Sequence, residues 1–127
     1  MTNTIVIAGS PTALGGHFAG MERTPADLRR LGLAARLAER PELAGVAWYD
    51  HGDAENTPGW APDPDPRAKN RARIAGYLPR LAAHVAAGMD TVGDGVRLLA
   101  LGGDCTSHVG AMAGIRRARP GIRLGLA

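Results

Sequence analysis

Short apolar runs alternate along this chain with segments whose apolar residues recur every three or four positions. The runs at 4–8, 45–49 and 96–101 have the length and composition of buried strands. The third is apolar apart from Arg97, which predicts a central parallel strand covered by helices on both faces. A last apolar run, 122–127, predicts a fourth strand.

Three helices are predicted between these strands. The first begins at Thr24, which can cap it, continues with Pro25 at the first helical position, and ends at Pro41. The second contains Pro79, which predicts a kink, and ends in the glycine-rich stretch 88–95. The third covers 107–117. Two apolar faces follow from the spacing: Leu28, Leu31, Ala35 and Ala38 in the first helix, and Ile74, Leu78, Leu81 and Val85 in the second.

The order β-α-β-α-β-α-β predicts an α/β fold, because right-handed crossovers between parallel strands place helices on both faces of one sheet. The expected architecture is a three-layer α/β/α sandwich. A chain of 127 residues forms at most one such domain. The chain contains two Trp, two Tyr and one Phe, so its core is built mainly from aliphatic side chains and is thin. Such a core gains stability from packing against a partner.

The charge distribution and the N-terminus exclude several classes of protein. The net charge of +3 comes from cations interspersed with acids, which is typical of solvated helix faces and not of a nucleic-acid surface. The apolar run after Met1 is too short for a signal peptide or a membrane span. We therefore expect a cytoplasmic protein that binds neither nucleic acid nor membrane.

The densest chemistry follows the third predicted strand. Gly102-Gly103 turns the chain, and Asp104, Cys105 and Thr106 then offer a carboxylate, a thiol and a hydroxyl at the strand's carboxyl end. Ligands bind at that edge in open parallel sheets. Since Cys105 is the single cysteine, it is a free thiol, a metal ligand or a nucleophile.

Gly102-Gly103-Asp104-Cys105-Thr106, with Pro120-Gly121 and the apolar run after it, resembles the Gly-Gly-Asp-His-Ser region of the arginase/agmatinase (ureohydrolase) family. The helix start Thr24-Pro25-Ala26-Asp27-Leu28-Arg29 resembles the family's first helix. The resemblance implies the arginase/deacetylase-like fold and hydrolysis of a linear C–N bond in a guanidino or amidino substrate such as arginine, hydroxyarginine or agmatine.

Cys105 stands where the family has a histidine that binds a two-metal, usually manganese, centre. The resemblance therefore implies Cys105 as a metal ligand, Asp104 as a neighbour that orients the site without binding metal, and His17 as a contact at the substrate rim. A cysteine here is similar to the hydroxyarginine-hydrolysing branch. Because thiolate is softer than imidazole, Zn²⁺, Fe²⁺ or no metal are alternatives to Mn²⁺.

The family's Asp-x-His-x-Asp segment would begin where this sequence stops. We therefore expect residues 1–127 to be the N-terminal half of one ureohydrolase-like domain, with no catalytic residue of its own. The remaining ligands would come from a polypeptide carrying the C-terminal half, in a homo- or hetero-oligomer. This chain alone is not expected to be a competent enzyme.

Asp50, His51 and Asp53, after the second strand, form another possible metal motif. Their spacing lacks the alternation that places ligands two residues apart on one side of an extended chain, so we predict that they do not share a metal. Two further functions stay open. The chain could be a metal-free regulatory subunit, or an enzyme with Cys105 as nucleophile and His108 or His17 as base.

Overall fold

The computed structural model describes residues 3–55, 57–65 and 67–125. Within these ranges three parallel strands form a sheet in the order β2-β1-β3, where β1 is Thr4–Ser10, β2 is Ala47–Asp53 and β3 is Arg97–Gly102. Within these residues the middle strand is therefore β1, and 96–101, expected to be central, lies at an edge of the described sheet. An apolar run reports that its faces are covered, but it carries no information about how many strands flank it.

Four α-helices accompany the strands in the described ranges: α1 at Thr24–Arg30, α2 at Leu33–Ala38, α3 at Arg71–Val92 and α4 at Ser107–Ala118. Short 3₁₀ turns cover Met21–Arg23 and Pro41–Leu43. The long pair α3 and α4 pack on each other and on one face of the sheet, while α1 and α2 lie over the other face beside Ile7 and Leu101. The predicted α/β fold with a covered parallel sheet is confirmed.

The core lies between β1 and the α3/α4 pair. Tyr77, Leu81, Val85 and Met89 of α3 are buried against Ala8 of β1. Half-buried side chains from β3, from the residue before it and from α4 complete this cluster, namely Val96, Leu98, Ile115 and Ala118. The apolar face predicted for the second helix is thus confirmed at Leu81 and Val85, which are buried, whereas Ile74 and Leu78 are half-buried.

The predicted first helix is two helices, because Gly32 adopts φ 77° and interrupts it. Its predicted face is not buried: Leu31 is 55% exposed, and Ala35 and Ala38 also face solvent. Thr24 lies inside α1, and Arg23 precedes it without a side-chain capping bond.

Helix α3 continues through Pro79 and through Gly88. It ends at Val92, inside the predicted glycine-rich stretch 88–95, and Gly93 follows with φ 95°. Glycine at position 88 allows α3 to pack closely on β2, because a Cβ there would lie 2.9 Å from the His51 ring. Residues 122–125 belong to no strand, and the end of the predicted fourth strand, Leu126 and Ala127, is outside the described residues.

Candidate functional site

The loop between β3 and α4 crosses the end of β1 at very short range. Gly103 donates its N–H to the Ser10 carbonyl at 3.2 Å. A Cβ on Gly103 would lie 2.0 Å from the Thr12 carbonyl oxygen and 2.7 Å from that of Met21. Both neighbours are backbone atoms, so glycine is the residue that lets the two loops touch.

Asp104 fastens this loop to the loop that follows β1. Asp104 is buried, with 7% of the residue exposed. Its carboxylate accepts hydrogen bonds from Thr106 N at 2.8 Å, Thr106 Oγ1 at 2.5 Å and Gly15 N at 3.2 Å. These donors occupy both carboxylate oxygens. The side chain therefore holds the conformation of residues 104–106, which places the neighbouring Cys105.

Cys105 is exposed at the carboxyl edge of the sheet, immediately before the first turn of α4. It lines an open cavity of about 280 Å³ together with Met21, Ala100, His108 and Ala111. Among the residues that the structure describes, none hydrogen-bonds to its thiol. The thiol is therefore accessible to a ligand that binds in this cavity.

The two histidines considered as bases for Cys105 point elsewhere. His108 lies in the same cavity, but its Nδ1 is 3.0 Å from the backbone carbonyl oxygen of Cys105 and not against the sulfur. His17 is exposed, and its Nδ1 lies 3.5 Å from Lys69 Nζ. His17 is absent from the lining of the Cys105 cavity. This geometry does not favour the cysteine-nucleophile alternative.

A buried chain of three hydroxyls supports the loop from beneath. Ser107 Oγ donates to Ser10 Oγ at 2.9 Å, and Ser10 Oγ lies 3.0 Å from the Tyr77 hydroxyl. All three residues are buried, so these bonds are shielded from water. They tie the first turn of α4 to the end of β1 and to α3. Sequence reasoning missed this chain, because its members are separated by many residues and meet through the topology of the sheet.

A β-bulge in β2 determines which way the side chains of the Asp50, His51 and Asp53 motif point. Ile7 pairs with Asp50 and Gly9 with Asp53, so β2 contains one extra residue between these pairs, with Gly52 at φ 82°. Asp50 and Asp53 therefore reach the same side of the strand, contrary to the alternation assumed from the sequence. There both carboxylates contact Arg29. Arg29 donates to Asp50 at 2.7 and 2.9 Å and to Asp53 at 2.5 Å.

His51 points to the opposite side of β2, where its ring stacks on His84 with centroids 4.5 Å apart. Partial burial and the nearby His84 lower the pKa of His51. His84 Nε2 lies 3.1 Å from the Gly52 carbonyl oxygen, so this histidine packs between α3 and β2. In the described ranges, no group of three His, Cys, Asp or Glu residues is arranged to hold a metal.

The ion pair between Arg29 and Asp50 predicts a pH-dependent contribution to the free energy of unfolding. Hydrogen bonding from Arg29 lowers the pKa of Asp50 below its ordinary 3.8. The contribution is therefore complete above that ordinary value and is lost as the pH falls through the lowered one. Because both side chains are partly exposed, we expect Arg29→Met to lower the free energy of unfolding by about 1 kcal/mol at pH 7, with the deficit shrinking in acid.

Urea unfolding of the Arg29→Met variant and the wild-type chain between pH 3 and pH 7 measures this difference. Arg30→Met is the matched control, because Arg30 is 72% exposed and makes a longer contact of 3.4 Å with Asp27. Its unfolding free energy should stay near that of the wild type. A deficit in Arg29→Met that is constant across the pH range would contradict the assignment to the Asp50 pair.

Nearly the whole chain is similar to known proteins, both in sequence and in structure. The sequence is 31% identical to Arginase-1 of Rattus norvegicus over 118 residues, which are 93% of this chain and 34% of the rat protein. A crystal structure of arginase from Bacillus subtilis superposes with a TM-score of 0.65 at 24% identity, over 90% of this chain and 34% of that one. No protein-family model matches the sequence.

The parallel sheet, its helical layers and the glycine-rich loop at its carboxyl edge define an α/β protein with the arginase fold. The family resemblance seen in the sequence is confirmed, because the chain is similar to the N-terminal portion of Arginase-1. It spans about a third of the length of these relatives. In the described part of the chain, no helix has the length and apolarity needed to cross a lipid bilayer.

Proposed function

We propose that this chain is the N-terminal part of a ureohydrolase-type enzyme that cleaves a linear C–N bond in a guanidino or amidino substrate resembling arginine, hydroxyarginine or agmatine. The observation that carries the proposal is the placement of Cys105. Its exposed thiol lies at the sheet edge where α/β folds bind ligands, in a chain similar to Arginase-1.

The described residues alone do not form a site for two metal ions. The donor we assign to the metal is the Cys105 thiol, because the Asp104 carboxylate accepts hydrogen bonds from Thr106 and Gly15 and no cluster of three ligating side chains is present in the described part of the chain. We propose that the other ligands come from the Asp-x-His-x-Asp segment of the C-terminal half. A thiolate in the set favours Zn²⁺ or Fe²⁺ more than imidazole does, so Mn²⁺ is one of three candidates.

A bound metal pair would supply hydroxide at neutral pH from a coordinated water. The contribution we propose for this chain is to position the Cys105 thiol. The Gly103 contact and the Asp104 hydrogen bonds fix the loop, and the loop fixes where the Cys105 sulfur lies. The rigid backbone matters because a ligand displaced by about 1 Å weakens both metal binding and the reaction it supports.

The assembly we propose contains residues 1–127 and a polypeptide carrying the C-terminal half, located in the cytoplasm on the sequence grounds given above. The small aliphatic core and the coverage of a third of Arginase-1 support it. Asp104 acts in this proposal as a positioning residue. His17, beside Lys69 and outside the Cys105 cavity, keeps at most a role at the rim.

The ligand role of Cys105 is tested by metal analysis of the assembled protein. We expect Cys105→Ser to weaken metal binding at least about tenfold and to reduce urea release from guanidino substrates, because a hydroxyl is a poorer donor than a thiolate. Elemental analysis after dialysis at graded metal concentrations measures the affinity. A colorimetric urea assay measures the activity.

His51→Ala is the control for this experiment, since His51 packs against His84 on the far side of β2 from Asp50 and Asp53. Its metal content should equal that of the wild type. A stoichiometric loss of metal in His51→Ala would show that the second motif is the real ligand. An assembled wild-type protein without metal or activity would favour the regulatory-subunit alternative.

A further inference from the structure

The backbone just before α3 has an unusual conformation. Asn70 precedes the helix with φ 57° and ψ 26°, and Lys69 before it has φ 47°. In the described part of the chain, these are the two residues other than glycine with a positive φ. A left-handed backbone is unfavourable for a residue with a Cβ, although asparagine adopts it more readily than most. Such a conformation persists only where the surrounding contacts hold it.

The Asn70 side chain does not cap the helix that follows it. Asparagine is a preferred N-cap residue because its side-chain oxygen can accept a hydrogen bond from the first turn, but no such bond is present here. Its Nδ2 instead donates to the Leu14 carbonyl oxygen at 3.3 Å and to the Ala61 carbonyl oxygen at 3.2 Å. The Asp63 carboxylate accepts the Asn70 backbone N–H at 2.5 Å. Asn70 therefore joins two loops that are distant in sequence.

The peptide group between Leu14 and Gly15 links Asn70 to the loop that carries Cys105. The carbonyl of this peptide group is the Leu14 oxygen that accepts from Asn70. Its N–H is the Gly15 donor to the Asp104 carboxylate, at 3.2 Å. Because a peptide group is planar, its C=O and N–H rotate together, so each of the two hydrogen bonds restrains the other.

The two loops are in close contact at this peptide group. A Cβ on Gly15 would lie 2.4 Å from Thr106 Cγ2 and 3.1 Å from Asp104 Oδ1. Asp104 also accepts hydrogen bonds from the backbone and hydroxyl of Thr106. A rotation of the peptide group would therefore disturb the contacts that flank Cys105.

We infer that Asn70 is a positioning residue for the Cys105 thiol and acts through the peptide group between Leu14 and Gly15. This inference rests on the ligand role of Cys105 in the proposed function. Asn70 is absent from the lining of the Cys105 cavity, so it acts at a distance. Its amide holds the carbonyl end of the peptide group, the N–H end holds Asp104, and Asp104 holds the loop that carries the sulfur.

Two substitutions separate this role from helix capping. Asn70→Gly tolerates the left-handed backbone and removes the amide, whereas Asn70→Asp keeps the size and places a carboxylate against two carbonyl oxygens. We expect the Gly15 amide to exchange with solvent about tenfold faster in Asn70→Gly than in the wild type, and faster still in Asn70→Asp. A capping role predicts wild-type behaviour for Asn70→Asp, because aspartate caps as well as asparagine and its charge favours a helix N-terminus.

Hydrogen exchange is measured on the 127-residue chain, so it depends neither on the assembly nor on its activity. Metal binding to the co-expressed assembly then tests the link to the thiol. We expect Asn70→Gly to weaken metal binding by about tenfold, as the loss of residues that orient a ligand commonly does. Asn3→Gly is the matched control, because Asn3 is exposed and its side chain contacts Arg97. Its metal affinity and its Gly15 exchange rate should stay within about twofold of the wild type.

Two outcomes would overturn the inference. Wild-type exchange of the Gly15 amide in Asn70→Asp would assign Asn70 to helix capping. Faster exchange in Asn70→Gly with unchanged metal affinity would show that the peptide group does not position the thiol.

A failure of the proposed function is distinguishable from a failure of this inference. If the wild-type assembly binds no metal, the ligand role of Cys105 is contradicted, and the rate of Cys105 alkylation by iodoacetamide tests its position directly. A change of about threefold or more in Asn70→Gly supports the positioning role, and an unchanged rate contradicts it. If neither Asn70 variant folds, the wild-type chain decides: a protected Gly15 amide supports the contact with Asp104, and rapid exchange there overturns it.

Discussion

Replacing Gly103 by alanine is expected to destabilise the chain by about 3 kcal/mol or more. The added Cβ would lie 2.0 Å from the Thr12 carbonyl oxygen, whereas real Cβ contacts essentially never fall below 3.0 Å. Neither Thr12 nor Met21 can yield by a change of rotamer, because their backbone carbonyls make the contact. The loop that carries Asp104 and Cys105 must move instead. Urea denaturation followed by circular dichroism measures the loss.

Gly59→Ala is the control for the Gly103 substitution. A Cβ on Gly59 would meet nothing within 4 Å, and its backbone φ is not in the left-handed region. Its effect on the unfolding free energy should stay within about 0.5 kcal/mol. A Gly103→Ala protein as stable as Gly59→Ala would show that the two loops do not touch as the structure has them.

The second large effect is expected at the contact between α3 and α4. A Cβ on Gly114 would lie 2.6 Å from Val85 Cβ and 2.8 Å from the Ala82 carbonyl oxygen. Alanine is the better helix former by about 1 kcal/mol, but the steric conflict is larger. We therefore expect Gly114→Ala to lower the unfolding free energy by about 2 kcal/mol, measured by thermal and urea unfolding.

Gly76 offers a matched control, because it also lies within a helix but faces open space. A Cβ there would meet nothing within 4 Å, so Gly76→Ala should express the helix propensity alone and stabilise the chain by about 1 kcal/mol. The two substitutions are chemically identical and should have opposite signs. Stabilisation by both would mean that α4 packs less closely on α3 than the structure indicates.

Local patterns in the sequence predicted the elements near the site well. The apolar run before Gly102 is β3, the residues after Thr106 form α4, and Leu81 and Val85 of the predicted apolar face are buried in the core. These features depend on short-range periodicity, which a sequence displays directly. The loop between β3 and α4 was located for the same reason.

Features that depend on partners distant in sequence could not be predicted in this way. The central position of β1 and the hydroxyl chain from Ser107 to Tyr77 both arise from the order of the strands. The alternation rule failed at Asp50 and Asp53, because a bulge at Gly52 shifts the register by one residue. The anchoring role of Asp104 required knowledge that the loop at Gly15 lies beside it.

The strand order also has a consequence for the synthesis of the chain. β1 leaves the ribosome first, yet both of its neighbours, β2 and β3, are made later, and β3 is separated from it by most of the chain. The side of Thr4–Ser10 that pairs with β3 must therefore remain unpaired while α3 is translated. Until β3 has been synthesised, this side of β1 exposes unpaired backbone groups, and an unpaired strand edge of this kind favours self-association.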